Sequence, residues 1–323
     1  MSYKLKPKKP SMIEFTKKYA NNEQACYDFF FDAKYPNGYY CEKCDCTHYH
    51  KITRHRVVQC KECGHQQYLF ANTIFQDNKL DLYKLLLGLF LFFNSNKGIS
   101  AMDMRSYLDV NYKTALLLCR KCRILMAESN SAKILDSMFY EADTAYIGAS
   151  SEGDHKQGMA TDKQPFLAVL STLQENRYPQ YLKLSAIPKD TKDMMKRFLE
   201  KSIVTGSERT LNTDAKSTFS PMKEKINLKS NKISYEENNH KLYWMNIIIG
   251  NIKNQITGIY HGVSKRDIPL FLQEQAYRFN HRFTGDDMMQ KIKKYIVQST
   301  PIPNKSIIKA LNTAEPYFTP SCV

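Results

Sequence analysis

Two pairs of cysteines constrain this chain more than any other feature. Cys41-x-x-Cys44 is followed, after fifteen residues, by Cys60-x-x-Cys63. A Cys-x-x-Cys turn sets two thiolates on one side of a small soft cation, and a second turn closes the tetrahedron at about 2.3 Å from zinc. The spacing is that of a zinc ribbon. Gly64 follows the second pair, where a tight knuckle needs freedom at φ, and Tyr39 and Tyr40 lead into the first. Residues 51–59 and 66–69 alternate like short strands. Four thiolates leave no open coordination position, so the zinc expected at Cys41, Cys44, Cys60 and Cys63 is structural. Cys46, His48 and His50 are nearby donors, but the knuckle geometry favours the four cysteines. Cys119-x-x-Cys122 has no second pair and lies in an apolar and basic helical stretch, so it reads as packed thiols.

In a cytosolic protein thiols stay reduced, which suits metal ligands and packed thiols over disulfides. The Lys-rich first ten residues are not followed by an apolar segment, so no secretory signal is expected and the location reads as cytoplasmic. The longest apolar run, Leu85 to Phe93, is too short for the ~20 residues of a membrane-spanning helix. The chain has 323 residues, 42% of them hydrophobic, which suits two or three domains with real cores. Its net charge of +15 favours a polyanionic partner such as DNA. That charge is denser in the first 135 residues.

The order of elements divides the chain into five parts. Residues 1–35 read as a basic leader and a helix from Ile13 to Phe31. Residues 36–77 are the zinc ribbon. Residues 78–135 are helical: Leu80 to Phe93, a break at Ser95 to Gly98, Ala101 to Leu108 capped by Ser100, then Tyr112 to Met126. Two helices joined by Asp109-Val110-Asn111 have the form of a helix-turn-helix. Its second helix would bring Asn111, Tyr112, Lys113 and Thr114 to base edges, and Arg120, Lys121 and Arg123 to phosphates. Residues 286–323 read as a C-terminal tail without an assigned role.

Residues 136–285 alternate strand-like and helix-like stretches. Strands are expected at Met138–Ile147, Phe166–Leu173 and Tyr178–Ile187, a helix at Met194–Val204, a strand at Thr210–Thr213 and a helix from about Trp244 to Thr257. Three strands, a helix, a fourth strand and further helices is the order of a ribonuclease-H-like α/β fold. That order sets Asp143 on the first strand beside Asp214 at the end of the fourth. Two close carboxylates repel, and a pair of Mg²⁺ ions relieves the repulsion while stabilising an in-line phosphoryl displacement. Asn246, on the final helix, offers a hard carbonyl oxygen as a further magnesium ligand. Lys253, two helical turns on, lies on the same face, where it can hold a DNA phosphate.

Several stretches together resemble bacterial insertion-sequence transposases of the zinc-ribbon DDE type, the group related to the eukaryotic Merlin elements. They are Cys60-Lys61-Glu62-Cys63-Gly64-His65-Gln66-Gln67 with Ala71-Asn72-Thr73-Ile74-Phe75, Lys97-Gly98-Ile99-Ser100-Ala101, and Tyr112-Lys113-Thr114-Ala115. Glu141-Ala142-Asp143-Thr144-Ala145-Tyr146-Ile147-Gly148, Thr213-Asp214 and Trp244-Met245-Asn246 through Lys253 continue it. Tyr260 to Lys265 and Tyr277-Arg278-Phe279-Asn280-His281-Arg282 look like the family's closing signature. The resemblance implies a DNA transposase with Asp143, Asp214 and Asn246 as its catalytic triad, Mg²⁺ or Mn²⁺ as catalytic metal, and terminal inverted repeats and target DNA as partners. It also implies a homodimer or higher oligomer on DNA, associated with the nucleoid when acting. The chain departs from the family pattern at Thr144, often Glu there, at Ala149, often Gly, and at Asp109, usually Gly. The alternative readings are a catalytically inactive, transposase-derived zinc-ribbon DNA-binding protein, and a ribonuclease-H-like nuclease or resolvase without strand transfer.

Overall fold

The computed structural model describes residues 11–148, 163–175, 177–231, 242–283, 287–304 and 306–307. The basic leader, Ala149, most of the polar loop after Gly148 and the last sixteen residues of the expected tail therefore lie outside the described residues. The chain divides into two compact units: residues 1–125 with 283–308, and residues 126–282 with 309–323.

In the first unit, α1 (Met12–Tyr19) and α2 (Glu23–Lys34) replace the single helix expected over 13–31. Asn21 sits at φ 54°, and the Asn22 side chain accepts the Ala25 N–H at 3.0 Å, so one helix ends and another is capped within a few residues. The ribbon is a three-stranded antiparallel sheet of β1 (Tyr49–Ile52), β2 (Val57–Cys60) and β3 (Gln66–Tyr68). Residues 51–59, expected as one strand, are instead a hairpin that turns through Thr53–His55, with Arg56 left-handed at φ 55°. Helix α2 belongs to the ribbon's core: Tyr27 donates to the Val57 carbonyl at 2.9 Å, and Phe31 stacks on Tyr49.

Three helices follow: α3 (Leu82–Asn94), α4 (Ala101–Leu108) and α5 (Tyr112–Ser131), the last crossing the division between the units. Gly88 in α3 lets them approach closely, since a Cβ there would stand 2.6 Å from Leu118 Cδ2 and 3.0 Å from Leu108 Cδ1. Asp109 ends α4 in the left-handed region at φ 48°. That conformation favours glycine but tolerates Asp, which explains how this chain departs from the family's usual Gly there. Cys119 and Cys122 are both buried in α5, as packed thiols.

The second unit is α/β. A five-stranded mixed sheet has the order β6 (Arg177–Ala186), β5 (Gln164–Gln174), β4 (Phe139–Ile147), β7 (Gly206–Asp214), β8 (Ile226–Asn231). Strands β4, β5 and β6 pair antiparallel; β7 runs parallel to β4 and to β8. Strand β8 has no apolar run, and the sequence showed only a polar stretch there. One face of the sheet carries Ala145, Ile147, Phe166, Ala168 and Leu170. It packs on α7 (Tyr243–Gly258) and α8 (Ile268–Asn280) through Met245, Ile249, Ile252, Leu272 and Ala276. The opposite face, with Tyr140, Ala142, Val169 and Leu211, is covered by α6 (Lys192–Ser202) through Met195, Phe198 and Leu199. Alternation along β4 thus commits odd residues to the α7 side and even residues to the α6 side.

Strand β6 is an edge, and unpaired edge groups invite pairing with another chain. Side chains of α8 and its C-terminal end occupy them here. Asn280 accepts the Leu182 N–H at 2.7 Å and donates to the Leu182 carbonyl at 2.9 Å. Gln273 donates to the Leu184 carbonyl at 2.9 Å, and Arg282 to the carbonyls of Gln180 and Pro179. Glu274, fully buried, receives Arg278 at 2.7 Å and the Tyr260 hydroxyl at 2.9 Å. The stretch from Tyr277 to Arg282, which resembled a closing signature, holds α8 to the sheet. Residues read as part of a tail include α9 (Met288–Gln298), which packs within the first unit. There Lys293 pairs with Asp32 at 3.0 Å, Tyr295 meets the Phe93 ring, and Ser299 accepts the Ile74 N–H at 3.1 Å.

Replacing Arg278 by Leu strands a buried carboxylate without its cation. Losing one partner of such a pair costs about 3–5 kcal/mol. The urea midpoint of Arg278→Leu is expected to fall accordingly; an unchanged midpoint would show that Glu274 does not depend on this partner.

Candidate active site

The carboxylates read from the sequence meet in the second unit. Ala142 on β4 is opposite Thr213 on β7 in parallel register, so Asp143 and Asp214 come next on adjacent strands. Both belong to the face covered by α7. Their side chains are 18% and 15% exposed, shielded yet open to a small ion. Between them stands a residue the sequence reading missed. Lys216 Nζ lies 3.2 Å from Asp214 Oδ2 and 3.6 Å from Asp143 Oδ1, and donates to the Thr144 carbonyl at 3.3 Å. Lys216 is two residues beyond Asp214, just past the end of β7, a position from which its side chain returns over the strand end.

The electrostatics show the strain of this pairing. Burial pushes the Asp143 carboxyl above the ordinary Asp range; Lys216 works against that rise and the Asp214 charge adds to it. Burial pulls the Lys216 ammonium down, but Asp143 and Asp214 outweigh it and hold it above the usual lysine value. Positive charge is stabilised at this point. The donors that meet it are hard carboxylate oxygens, the chemistry that suits Mg²⁺ or Mn²⁺.

A second missed residue lies beneath the pair. Glu141, two residues before Asp143 and on the same face, is fully buried. Desolvation raises its pKa to about 7. Its Oε2 accepts the backbone N–H of Met245 at 2.9 Å, in the first turn of α7. The signal in the sequence was its spacing from Asp143 in a strand of period two.

Asn246 follows Met245 and is exposed in that first turn; its side chain has no hydrogen-bond partner among the described residues. Lys253 is exposed two turns on along α7. The structure therefore brings Asp143 and Asp214 together around one cation and sets Asn246 on the helix over the same face. Thr144, an even residue of β4, is buried on the opposite face, so its departure from the family's Glu is not on the carboxylate face.

In the first unit, Tyr112 and Lys113 are exposed at the start of α5. Asn111 is occupied otherwise than expected: its Oδ1 accepts the Thr114 N–H at 2.8 Å and the Thr114 hydroxyl at 3.0 Å, capping the helix. Arg120 and Lys121, expected at phosphates, are buried at 6% and 5% exposure. Lys121 lies over the Phe75 ring, and burial lowers its pKa to about 8. Both stand a helical turn or more into α5, on the side that packs inward.

The four ribbon cysteines converge, with all four sulfurs within 4.8 Å of one another. Cys41 and Cys44 stand 3.6 and 3.4 Å from Cys63, and Cys44 is 3.6 Å from Cys60. A tetrahedron with ~2.3 Å zinc–sulfur bonds has edges of about 3.8 Å, so the set fits zinc. Backbone N–H groups of Cys63 and Glu62 help to draw the Cys60 thiol down to about 6. Cys44 is pushed up to about 12: the Cys46 N–H favours its thiolate, but the crowding of Cys63 and Cys60 prevails. A divalent cation removes that conflict.

Two models of known protein families match the chain over the regions that contain these sites. Residues 21–66 match the transposase zinc-ribbon domain, and residues 137–280 match the ISXO2-like transposase domain. The first match begins at Asn21 and so includes α2, which the structure packs against the ribbon. No curated protein matches the chain. Among the described residues, no helix is long and apolar enough to cross a membrane.

The zinc-ribbon match and the four-thiolate cluster support a structural zinc. In small zinc domains the metal contributes roughly 10 kcal/mol or more to folding. Purified protein is expected to carry one zinc per chain, measured by elemental analysis. Cys60→Ser should lose the metal and melt the ribbon at a lower temperature. Zinc-free protein with an undisturbed ribbon would refute the site.

Proposed function

The chain belongs to the zinc-ribbon, DDE-type insertion-sequence transposases, and on that premise we propose that it is an active transposase that cuts DNA and joins it to a target. The observation that carries this reading is the meeting of Asp143 and Asp214 on adjacent parallel strands with a cation between them. The strand order, with three antiparallel strands, a helix and a parallel fourth strand, supports a ribonuclease-H-like fold for the second unit.

Asp143, Asp214 and Asn246 would hold Mg²⁺ or Mn²⁺. Such ions, when bound, lower the pKa of water and stabilise the attacking and leaving oxygens of an in-line displacement at phosphorus. The protein's own contribution is placement. Strands β4 and β7 fix the two carboxylates side by side, and α7, packed on the same sheet face, carries Asn246 in its first turn. Lys253, farther along α7, would hold a phosphate of the bound strand. Lys216 balances the carboxylate charge and would have to swing aside to make room for divalent cations.

In the first step water attacks the phosphodiester at the element end. A P–O bond to water forms, the P–O3′ bond breaks, and a free 3′-OH remains. In the second, that 3′-OH attacks a target phosphodiester. One P–O bond forms and one breaks, with the target's 3′ oxygen leaving, so no external energy source is required.

The ribbon and the helices α4 and α5, read as a helix-turn-helix, would recognise the terminal inverted repeats. Tyr112 and Lys113 are the exposed candidates at the start of α5, and the net charge of +15 favours DNA. Cutting and joining two element ends in concert calls for at least two copies of the chain on DNA.

Asp143→Ala should reduce strand transfer in Mg²⁺ or Mn²⁺ by about 10³-fold or more, the scale on which removal of a catalytic group acts. End binding by the variant should be retained. Equal behaviour of wild type and variant, with both still binding the ends, would sink the enzymatic reading and leave a DNA-binding derivative. Cleaved but never joined DNA would indicate a nuclease instead.

A further inference from the structure

Among the described residues, seven of the nine helices, α1 to α6 and α9, begin with a side chain that caps them: Ser11, Asn22, Asp81, Ser100, Asn111, Thr191 and Asp287. Helix α7 does not. Its N-cap is Leu242, which offers no acceptor, so the first N–H groups of this helix look for partners elsewhere. One partner comes from another element, as Glu141 Oε2 on β4 accepts the Met245 N–H at 2.9 Å.

We propose that Glu141 is the positioning residue of the catalytic site: it caps α7 from the neighbouring strand and thereby fixes where Asn246 stands relative to Asp143. The inference rests on the reading of Asn246 as a metal ligand. Its geometry is a short closed link. Asp143 is two residues from Glu141 along a strand, Glu141 is bonded to the Met245 amide, and Asn246 is the next residue. Glu141 and Met245 are both fully buried, so water does not loosen the bond between them. A buried carboxylate is expensive unless it is hydrogen-bonded. Glu141 shares its sheet face with Ala145, Ile147 and the other apolar residues that pack on α7, where a Leu or Met would pack without that expense. Its other oxygen, Oε1, is buried with no hydrogen-bond partner among the described residues, so the Met245 amide is the contact for which the carboxylate is retained. A negative group at a helix N-terminus also interacts favourably with the helix dipole.

The test uses the full-length, zinc-loaded protein. Mn²⁺ affinity is read by electron paramagnetic resonance, and protection of the Met245 amide by hydrogen exchange. Glu141→Met keeps the volume and removes the acceptor. It should weaken Mn²⁺ binding by about 10-fold or more, the usual effect of losing a residue that orients a ligand, and it should expose the Met245 amide. Glu141→Gln, whose side-chain carbonyl still accepts the N–H, should keep the amide protected and restore most of the affinity. In an Asn246→Ala background, Glu141→Met should weaken Mn²⁺ binding no further.

Wild-type Mn²⁺ affinity in Glu141→Met, with weakened binding in Asn246→Ala, would overturn the proposal and leave Asn246 as a ligand. Wild-type affinity in Asn246→Ala would overturn both. An undiminished effect of Glu141→Met in the Asn246→Ala background would show a general structural role and overturn the proposal. Should Glu141→Met not fold, Glu141→Gln decides: affinity retained with the Met245 amide unprotected, or affinity lost with the amide protected, overturns it.

Discussion

Two carboxylates held side by side in a shielded site repel each other, and the second unit is arranged around that repulsion. Asp143 and Asp214 arrive on neighbouring parallel strands because the chain returns through α6 to lay β7 alongside β4. Burial raises the Asp143 carboxyl, and the Asp214 charge raises it further. The opposing charge is supplied by Lys216, itself half-exposed. A site built this way spends conformational and electrostatic energy to keep a place for a cation. It is intelligible in an enzyme that brings hard divalent ions to a phosphodiester.

Buried polar groups help the apolar core to fix the elements of the second unit. Glu141 ties β4 to the first turn of α7. Glu274, with Arg278 and Tyr260, makes a buried polar cluster on α8, while Gln273, Asn280 and Arg282 occupy the edge of β6. These bonds serve shape and protection of the edge, not chemistry. The ribbon applies the same logic with a metal. Its three short strands cannot bury enough apolar surface alone, and four converging thiolates together with α2 supply what the sheet lacks.

Much of this was legible because the chemistry has a fixed spacing. The Cys-x-x-Cys pairs specify their own geometry, and the alternation of Met138 to Ile147 placed Asp143 within a strand before its partner was known. The break between α1 and α2 was not legible as a boundary, since apolar residues continue on both sides of Ala20-Asn21-Asn22. Strand β8 escaped because Ile226-Asn227-Leu228-Lys229-Ser230-Asn231 is polar, as an edge strand can be. Helix α9 lies in the stretch read as a tail, and its burial depends on partners far away in sequence, Asp32, Phe93 and Ile74. Arg120 and Lys121 were misjudged for a different reason. Charge identity suggests a solvated face, but helical phase decides which side packs inward, and long side chains can lie along apolar surface. Lys216 was overlooked because a lone Lys in a loop carries no spacing signature, and Glu141 because its two-residue spacing from Asp143 gives a shared face but not the bond to α7; only the fold brings them to the carboxylates and to that helix.

The most direct measurement is anomalous diffraction from crystals of the full-length protein soaked in Mn²⁺. A manganese peak between Asp143 and Asp214, within coordination distance of the Asn246 side-chain oxygen and with the Lys216 ammonium moved away, is the expected result. Manganese absent from that position, with Lys216 still bridging the two carboxylates at saturating Mn²⁺, would contradict the proposed catalytic centre.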